Sequence, residues 1–166
     1  MTESDSDSDP HSAPDSDFDA FDHERHVRRA IELAREAAAR GDRPFGSVLV
    51  RADEVVAEAS NRVVTESDPR RHPELDLAVE AKREFTADER ARTVMYTSTE
   101  PCPMCAGGLR SAGLARIVYS VGGDEIREFT GGETPVRAAA ILDGVTEVTG
   151  PVLNDEGRAV HREFDW

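Results

Sequence analysis

TVMYTSTEPCPMCAGGLRSAGLARIVYSV, residues 93–121, decides the fold. Its ends, Thr93–Thr97 and Ala115–Val121, are rich in the β-branched and aromatic types that strands favour. Between them Cys102–Ala112 reads as a helix, so the run is a strand, a helical crossover and a second strand. Working outward, Val27, Ala30, Ile31, Ala34, Ala37 and Ala38 recur at helical spacing until Gly41. Phe45–Arg51 and Glu54–Ala59 are short β-rich runs separated by Ala52-Asp53, which predicts a hairpin. Asn61–Arg71 is polar, contains Pro69 and reads as a loop. In His72–Phe85, Leu75, Ala78, Ala81 and Phe85 share one helical face. After residue 121 come a Gly-bracketed loop (Gly122–Glu133), a short helix (Pro135–Leu142), a last strand (Thr146–Val152) and a terminal helix (Glu156–Phe164). A hairpin followed by strands alternating with helices predicts an α/β fold, a mostly parallel sheet covered on both faces.

The chain has 166 residues, which suits one domain. Acids outnumber bases 34 to 20, for a net charge of −14. Half of that excess lies in residues 1–19, seven acids with no Lys or Arg among Ser and Pro. So polar a stretch cannot offset the entropy of ordering, and it is expected to be a disordered acidic tail ahead of a folded domain over residues 20–166. Lys82 is the only lysine among the 20 basic residues. An acidic, nearly lysine-free chain resembles cytoplasmic proteins of halophilic archaea, whose self-repulsion salt screens. No apolar run reaches the ~18 residues of a membrane span, and the first residues lack the basic and apolar parts of a secretory signal. Acidity argues against a nucleic-acid partner, which needs a basic patch. Two cysteines cannot build a disulfide framework.

The chemistry gathers in His72-Pro73-Glu74 and Pro101-Cys102-Pro103-Met104-Cys105. In each, the first candidate ligand precedes a proline, and proline is favoured at the first position of a helix. His72 and Cys102 are therefore expected at N-caps, with Glu74 and Cys105 in the first turns. Cys102 and Cys105 lie three apart, on one side of a helix. Two thiolates and an imidazole make three ligands for Zn2+ and leave a fourth position for water, as in catalytic rather than structural sites. Helix N-termini favour thiolates. Glu74 is too close in sequence to His72 to serve as a convenient ligand but is placed to take a proton from that water and deliver it to a leaving nitrogen. A redox CxxC leaves His72 and Glu74 unexplained. A structural zinc site needs a fourth ligand; among the other histidines, His11 lies in the tail, His23 and His26 flank the first helix and read as solvated, and His161 stays open.

H-x-E followed by P-C-x-x-C is the pattern of zinc deaminases. With Pro44-Phe45-Gly46-Ser47-Val48-Leu49-Val50, Asn61, Asp68-Pro69 and Ser98-Thr99-Glu100-Pro101 in the same order, the sequence resembles the nucleoside/nucleobase branch of the cytidine-deaminase-like superfamily over roughly residues 25–121. That branch includes guanine deaminases and tRNA adenosine deaminases. Pro73 departs from the small residue usual there, and the helix-start argument tolerates it. The resemblance implies a three-layer α/β/α fold with a central mixed five-stranded sheet, and a homodimer with its sites near the subunit interface. It also implies Zn2+ on His72, Cys102 and Cys105, Glu74 as proton carrier, and Asn61 on the substrate ring or sugar. Phe45 is expected as one wall of a base pocket; a core aromatic is the plainer reading. Trp166 could supply a stacking surface or pack against the first helix. The expected activity is hydrolytic deamination of a small-molecule nucleobase or nucleoside, guanine first (to xanthine and ammonia). The rivals are tRNA adenosine, cytosine or cytidine deamination, and a non-catalytic zinc-binding interaction protein.

Overall fold

The crossover forms as the sequence predicts. In the computed structural model, which describes residues 17–166, β3 (Thr93–Thr99) and β4 (Arg116–Val121) pair in parallel around α4 (Pro103–Ala112). Ahead of them come α1 (His23–Ala39), β1 (Gly46–Arg51), β2 (Glu54–Ser60), α2 (Pro73–Glu84) and α3 (Ala87–Ala91). After them come α5 (Arg127–Thr130), α6 (Ala138–Ile141), β5 (Glu147–Thr149) and α7 (Asn154–Glu163). The sheet order is β2-β1-β3-β4-β5. β1 is antiparallel to both β2 and β3, whereas β3, β4 and β5 run parallel. The sheet is thus mixed and five-stranded, as the family resemblance implies, and not the mostly parallel sheet that the alternation of elements predicts. Alternation of elements counts crossovers; it does not say which hairpin strand enters the sheet. β1 enters because Val48, Leu49 and Val50 are apolar on both faces, while β2 carries Glu54 and Glu58 and suits an edge.

Period-two alternation divides the core between the two faces. Leu49, Met95 and Ile117 pack against Leu77, Ala81 and Leu109 on the side of α2, α4 and α6. Val48, Val50, Val94, Tyr96 and Val118 pack against Val27, Ile31 and Val160 on the side of α1 and α7. The result is three layers, α/β/α. Gly46 lets β1 approach α1: a Cβ there would overlap the Ala30 carbonyl and lie 2.6 Å from Leu33 Cβ.

Several local expectations change. Within the described part of the expected tail, Phe18–Ala20 form a single 3-10 turn, and Asp19 pairs with Arg116 at 3.0 Å. The rest of the expected tail, residues 1–16, lies outside the described residues. His26 is not solvated. It is buried under the hairpin turn, its Nε2 2.7 Å from Asp53 Oδ1, and His23 Nδ1 lies 2.7 Å from the Tyr96 hydroxyl. The turn places both Ala52 and Asp53 at positive φ (52° and 59°), the form that matches strand twist in two-residue hairpins. α3 was not foreseen. The stretch 122–133 is not loop throughout, since it holds α5. The last strand keeps only Glu147–Thr149, where pairing with β4 lasts.

Candidate active site

His72 caps α2 and Cys102 caps α4, each with extended backbone and proline next, as the residue before a proline requires. Neither side chain is used in capping, so the imidazole and the thiol remain free for other work. Cys105 sits one turn into α4, buried. Ligand atoms of His72, Cys102 and Cys105 all lie within 4.8 Å of one another. A tetrahedral zinc with bonds of ~2.3 Å to sulfur and ~2.0–2.1 Å to nitrogen needs S···N of about 3.6 Å. Cys102 Sγ is 3.6 Å from His72 Nδ1. The electrostatics agree. A hydrogen bond from Cys105 and another from His72 hold the Cys102 thiol down to about 4, while its contact with Cys102 and burial push the Cys105 thiol up. Two neighbouring sulfurs oppose each other's ionisation, and a divalent cation between them removes that opposition. The donor set therefore fits zinc. His161 is not a fourth ligand: its Nε2 lies 3.2 Å from Thr99 Oγ1, and it is outside the ligand group among the described residues.

Glu74 is 5% exposed, in the first turn of α2. Thr97 Oγ1 lies 2.9 Å from its Oε1, and Ser47 Oγ donates to Thr97 Oγ1 at 2.8 Å. Burial pushes the Glu74 carboxyl up to about 7; the charge of Cys102 adds to the rise and the Thr97 hydrogen bond opposes it. Glu100, just before Pro101, is buried and clamped by Arg137, whose Nε and Nη2 reach its carboxylate at 2.6–3.0 Å. The clamp ties the start of α4 to that of α6.

His72, Glu74 and Cys102 open on a cavity of about 220 Å3 whose other walls include Phe45, Thr99, Arg127, Thr130 and Trp166. Phe45 lines the cavity, with its ring centroid 6.0 Å from that of Trp166. Trp166 lines the cavity as well, and its Nε1 donates to the His161 carbonyl at 3.2 Å. Asn61 is buried beside the site but does not line the cavity. Its Oδ1 accepts from the Val63 N–H at 3.1 Å, and its amide nitrogen has no partner among the described residues. The stretch after β4, which reads from sequence as a Gly-bracketed loop, lines the cavity through Gly123, Ile126, Arg127 and Thr130. Sequence reasoning missed Thr97, Ser47, Arg127 and the Glu100–Arg137 clamp. For Thr97 a signal existed: in TVMYTST it shares the face of Met95, which packs on the α2 and α4 side.

Residues 21–121 match the family model for the cytidine and deoxycytidylate deaminase zinc-binding region. A probable cytosine deaminase of Schizosaccharomyces pombe is 30% identical over 151 residues, spanning 84% of this chain and 90% of that protein. The guanine deaminase of Bacillus subtilis is 36% identical over 101 residues, 60% of this chain and 65% of that protein. A solved structure of the guanine deaminase of Nitrosomonas europaea superposes with a TM-score of 0.73 at 24% identity, covering 84% of this chain and 82% of the other; it speaks for the fold.

Proposed function

The chain belongs to the cytidine and deoxycytidylate deaminase family of zinc-dependent aminohydrolases, and from that premise we propose that it deaminates a free nucleobase, guanine foremost, giving xanthine and ammonia. The observation that carries this reading is the size and lining of the cavity. At about 220 Å3 it falls below the ~300–1,000 Å3 typical of sites for drug-sized ligands. Phe45 and Trp166 bound it with flat apolar faces suited to a planar ring. A nucleotide held in RNA is larger than this cavity, and the net charge of −14 repels a polyanion.

His72, Cys102 and Cys105 would hold the zinc. The ion, when bound, supplies Lewis acidity that brings the pKa of water toward ~7. Glu74 does the proton work. Its carboxylate faces the cavity, fixed by Thr97 at Oε1, and takes a proton from the attacking water. The proton on Glu74 then goes to the departing amino nitrogen, which leaves as ammonia. Burial keeps competing proton donors away from Glu74 and brings its proton affinity close to neutrality, where one group can both accept and donate. Asn61 lies beside the site but outside the cavity lining, so holding the ring would require its amide to turn inward. Exposed Val79 on α2 and Met104 on α4 offer apolar surface for a homodimer, which light scattering would detect. No helix among the described residues is long and apolar enough to cross a membrane.

The test is ammonia release from guanine, adenine, cytosine, their nucleosides and tRNA, with Glu74→Ala as control. Guanine is expected to have the highest kcat/KM. Turnover of tRNA or cytosine with none of guanine would overturn the reading. Bound zinc without release from any substrate would favour a binding module.

A further inference from the structure

Arg127 is a half-buried cation whose side chain meets no acid among the described residues. Nearly every partly buried arginine of the described residues has an acid or a carbonyl: Arg40 has Asp42, Arg51 has Glu89, Arg116 has Asp19 and Glu147, Arg158 has Glu125 and Glu128. The side chain of Arg127 has no hydrogen bond or ion pair among the described residues, and its Nε is buried without a partner. Arg51 and Arg116 also carry one unpartnered buried nitrogen, but each guanidinium still pairs with a carboxylate. A buried donor with no acceptor costs free energy comparable to a lost hydrogen bond, so it marks a place where an acceptor arrives from outside. Arg127 lines the catalytic cavity from α5, a different wall from the α2 and α4 starts that carry His72, Glu74 and Cys102. The carboxylates of the cavity are committed elsewhere, Glu100 to Arg137 and Glu74 to Thr97. Arg43 lines the cavity too, but it is exposed and water can satisfy it.

We propose that Arg127 is a specificity-determining residue that reads the O6 and N7 acceptors of guanine with its guanidinium fork. The assignment rests on the guanine reading above. In guanine the carbon losing its amino group is C2. With C2 turned to Glu74 and the cysteines, the opposite edge of the ring presents O6 and N7 side by side, two acceptors matched to two parallel N–H groups. Adenine must turn C6 to Glu74, and its opposite edge then offers N3 beside N9–H. Cytosine turns C4, and N1–H lies opposite. Neither shows two adjacent acceptors to Arg127, so the lone guanidinium favours guanine and penalises the others by leaving its donors unmet.

The experiment compares guanine, 7-deazaguanine (no N7 acceptor) and 2-aminopurine (no O6) in the zinc-loaded wild type, Arg127→Met and Arg127→Lys. All three substrates keep the amino-bearing C2. In the wild type each analogue is expected to lose about 10- to 100-fold in kcat/KM relative to guanine. Arg127→Met should lose about as much on guanine and show little further loss on the analogues, so intrinsic differences between substrates cancel in the comparison. Arg127→Lys, a point charge without the fork, should fall between. Zinc content should stay at the wild-type level in both variants. If Arg127→Met turns over guanine like the wild type, or the analogues lose as much in it as in the wild type, the Arg127 assignment is wrong while the guanine reading stands. A wild type that ignores guanine and deaminates another base removes both.

Discussion

Thr97→Val isolates the support of the proton carrier from the zinc site and the cavity. The side chain keeps its shape and loses one hydroxyl. That hydroxyl lies 2.9 Å from Glu74 Oε1 and 3.0 Å from the Thr99 carbonyl, and it accepts from Ser47 at 2.8 Å. It has one proton for two acceptors, so the Ser47 donor behind it orients it toward whichever needs it. Without it, Glu74 loses a donor worth about 1.5–3 kcal/mol to a charged acceptor, and the buried Ser47 hydroxyl is left unmet at about 1–3 kcal/mol. The first loss is expected in kcat, about 10- to 100-fold lower, because the carboxylate is no longer fixed for proton transfer. The second is expected as a fall of about 1–3 kcal/mol in stability by urea denaturation. KM should change by less than about threefold, since Thr97 does not line the cavity. Thr97→Ser should restore most of kcat. A Thr97→Val enzyme with wild-type kcat, or with KM raised and kcat intact, would refute this chain of support.

Three further outcomes follow from the geometry. Gly46→Ala should cost more than about 3 kcal/mol or prevent soluble expression, because its Cβ meets α1 backbone at Ala30 and Ala34; a urea midpoint near wild type would contradict the close approach. His161 is buried and its imidazole is pushed down to about 4 by desolvation. Its folded-state pKa lies below the unfolded ~6.5, so this contribution is fully present above pH 6.5 and is lost as pH falls toward 4, by about 3 kcal/mol in all. His161→Gln should flatten that part of the stability profile between pH 7 and 4.5, and an unchanged slope would remove His161 as its source. Arg137→Met strands a buried Glu100 carboxylate with the Ala138 N–H alone. It should lower Tm by about 5–15 °C, with Arg137→Lys losing less; equal Tm values would make the clamp dispensable.

The chemistry-bearing helix starts were legible because their cues are local: proline after His72 and Cys102, and ligands in the next turn. The hairpin was legible from two apolar runs around Ala52-Asp53, and the helix faces of α1 and α2 from spacing alone. What escaped depends on meetings between distant segments. The order of β1 and β2 in the sheet follows from which strand is apolar on both faces. α3 is five residues long; its one cue is the capping box of Thr86 and Glu89, which a pass for apolar periodicity overlooks. α5 is hidden between glycines, yet it brings Arg127 to the cavity. Arg137 lies 37 residues from Glu100, and nothing in either neighbourhood pairs them before the fold does. His26 read as solvated because its partner, Asp53, sits on the turn of a hairpin 27 residues away.

Metal content and ammonia release, measured on the same samples of wild type, Glu74→Gln and a His72→Ala/Cys102→Ala double variant, test the division of labour at the two helix starts. About one zinc per chain is expected in the wild type and in Glu74→Gln, ammonia only from the wild type, and neither zinc nor ammonia from the double variant. Zinc lost from Glu74→Gln would make Glu74 a ligand, and zinc retained by the double variant would place the ion elsewhere; either result contradicts the account.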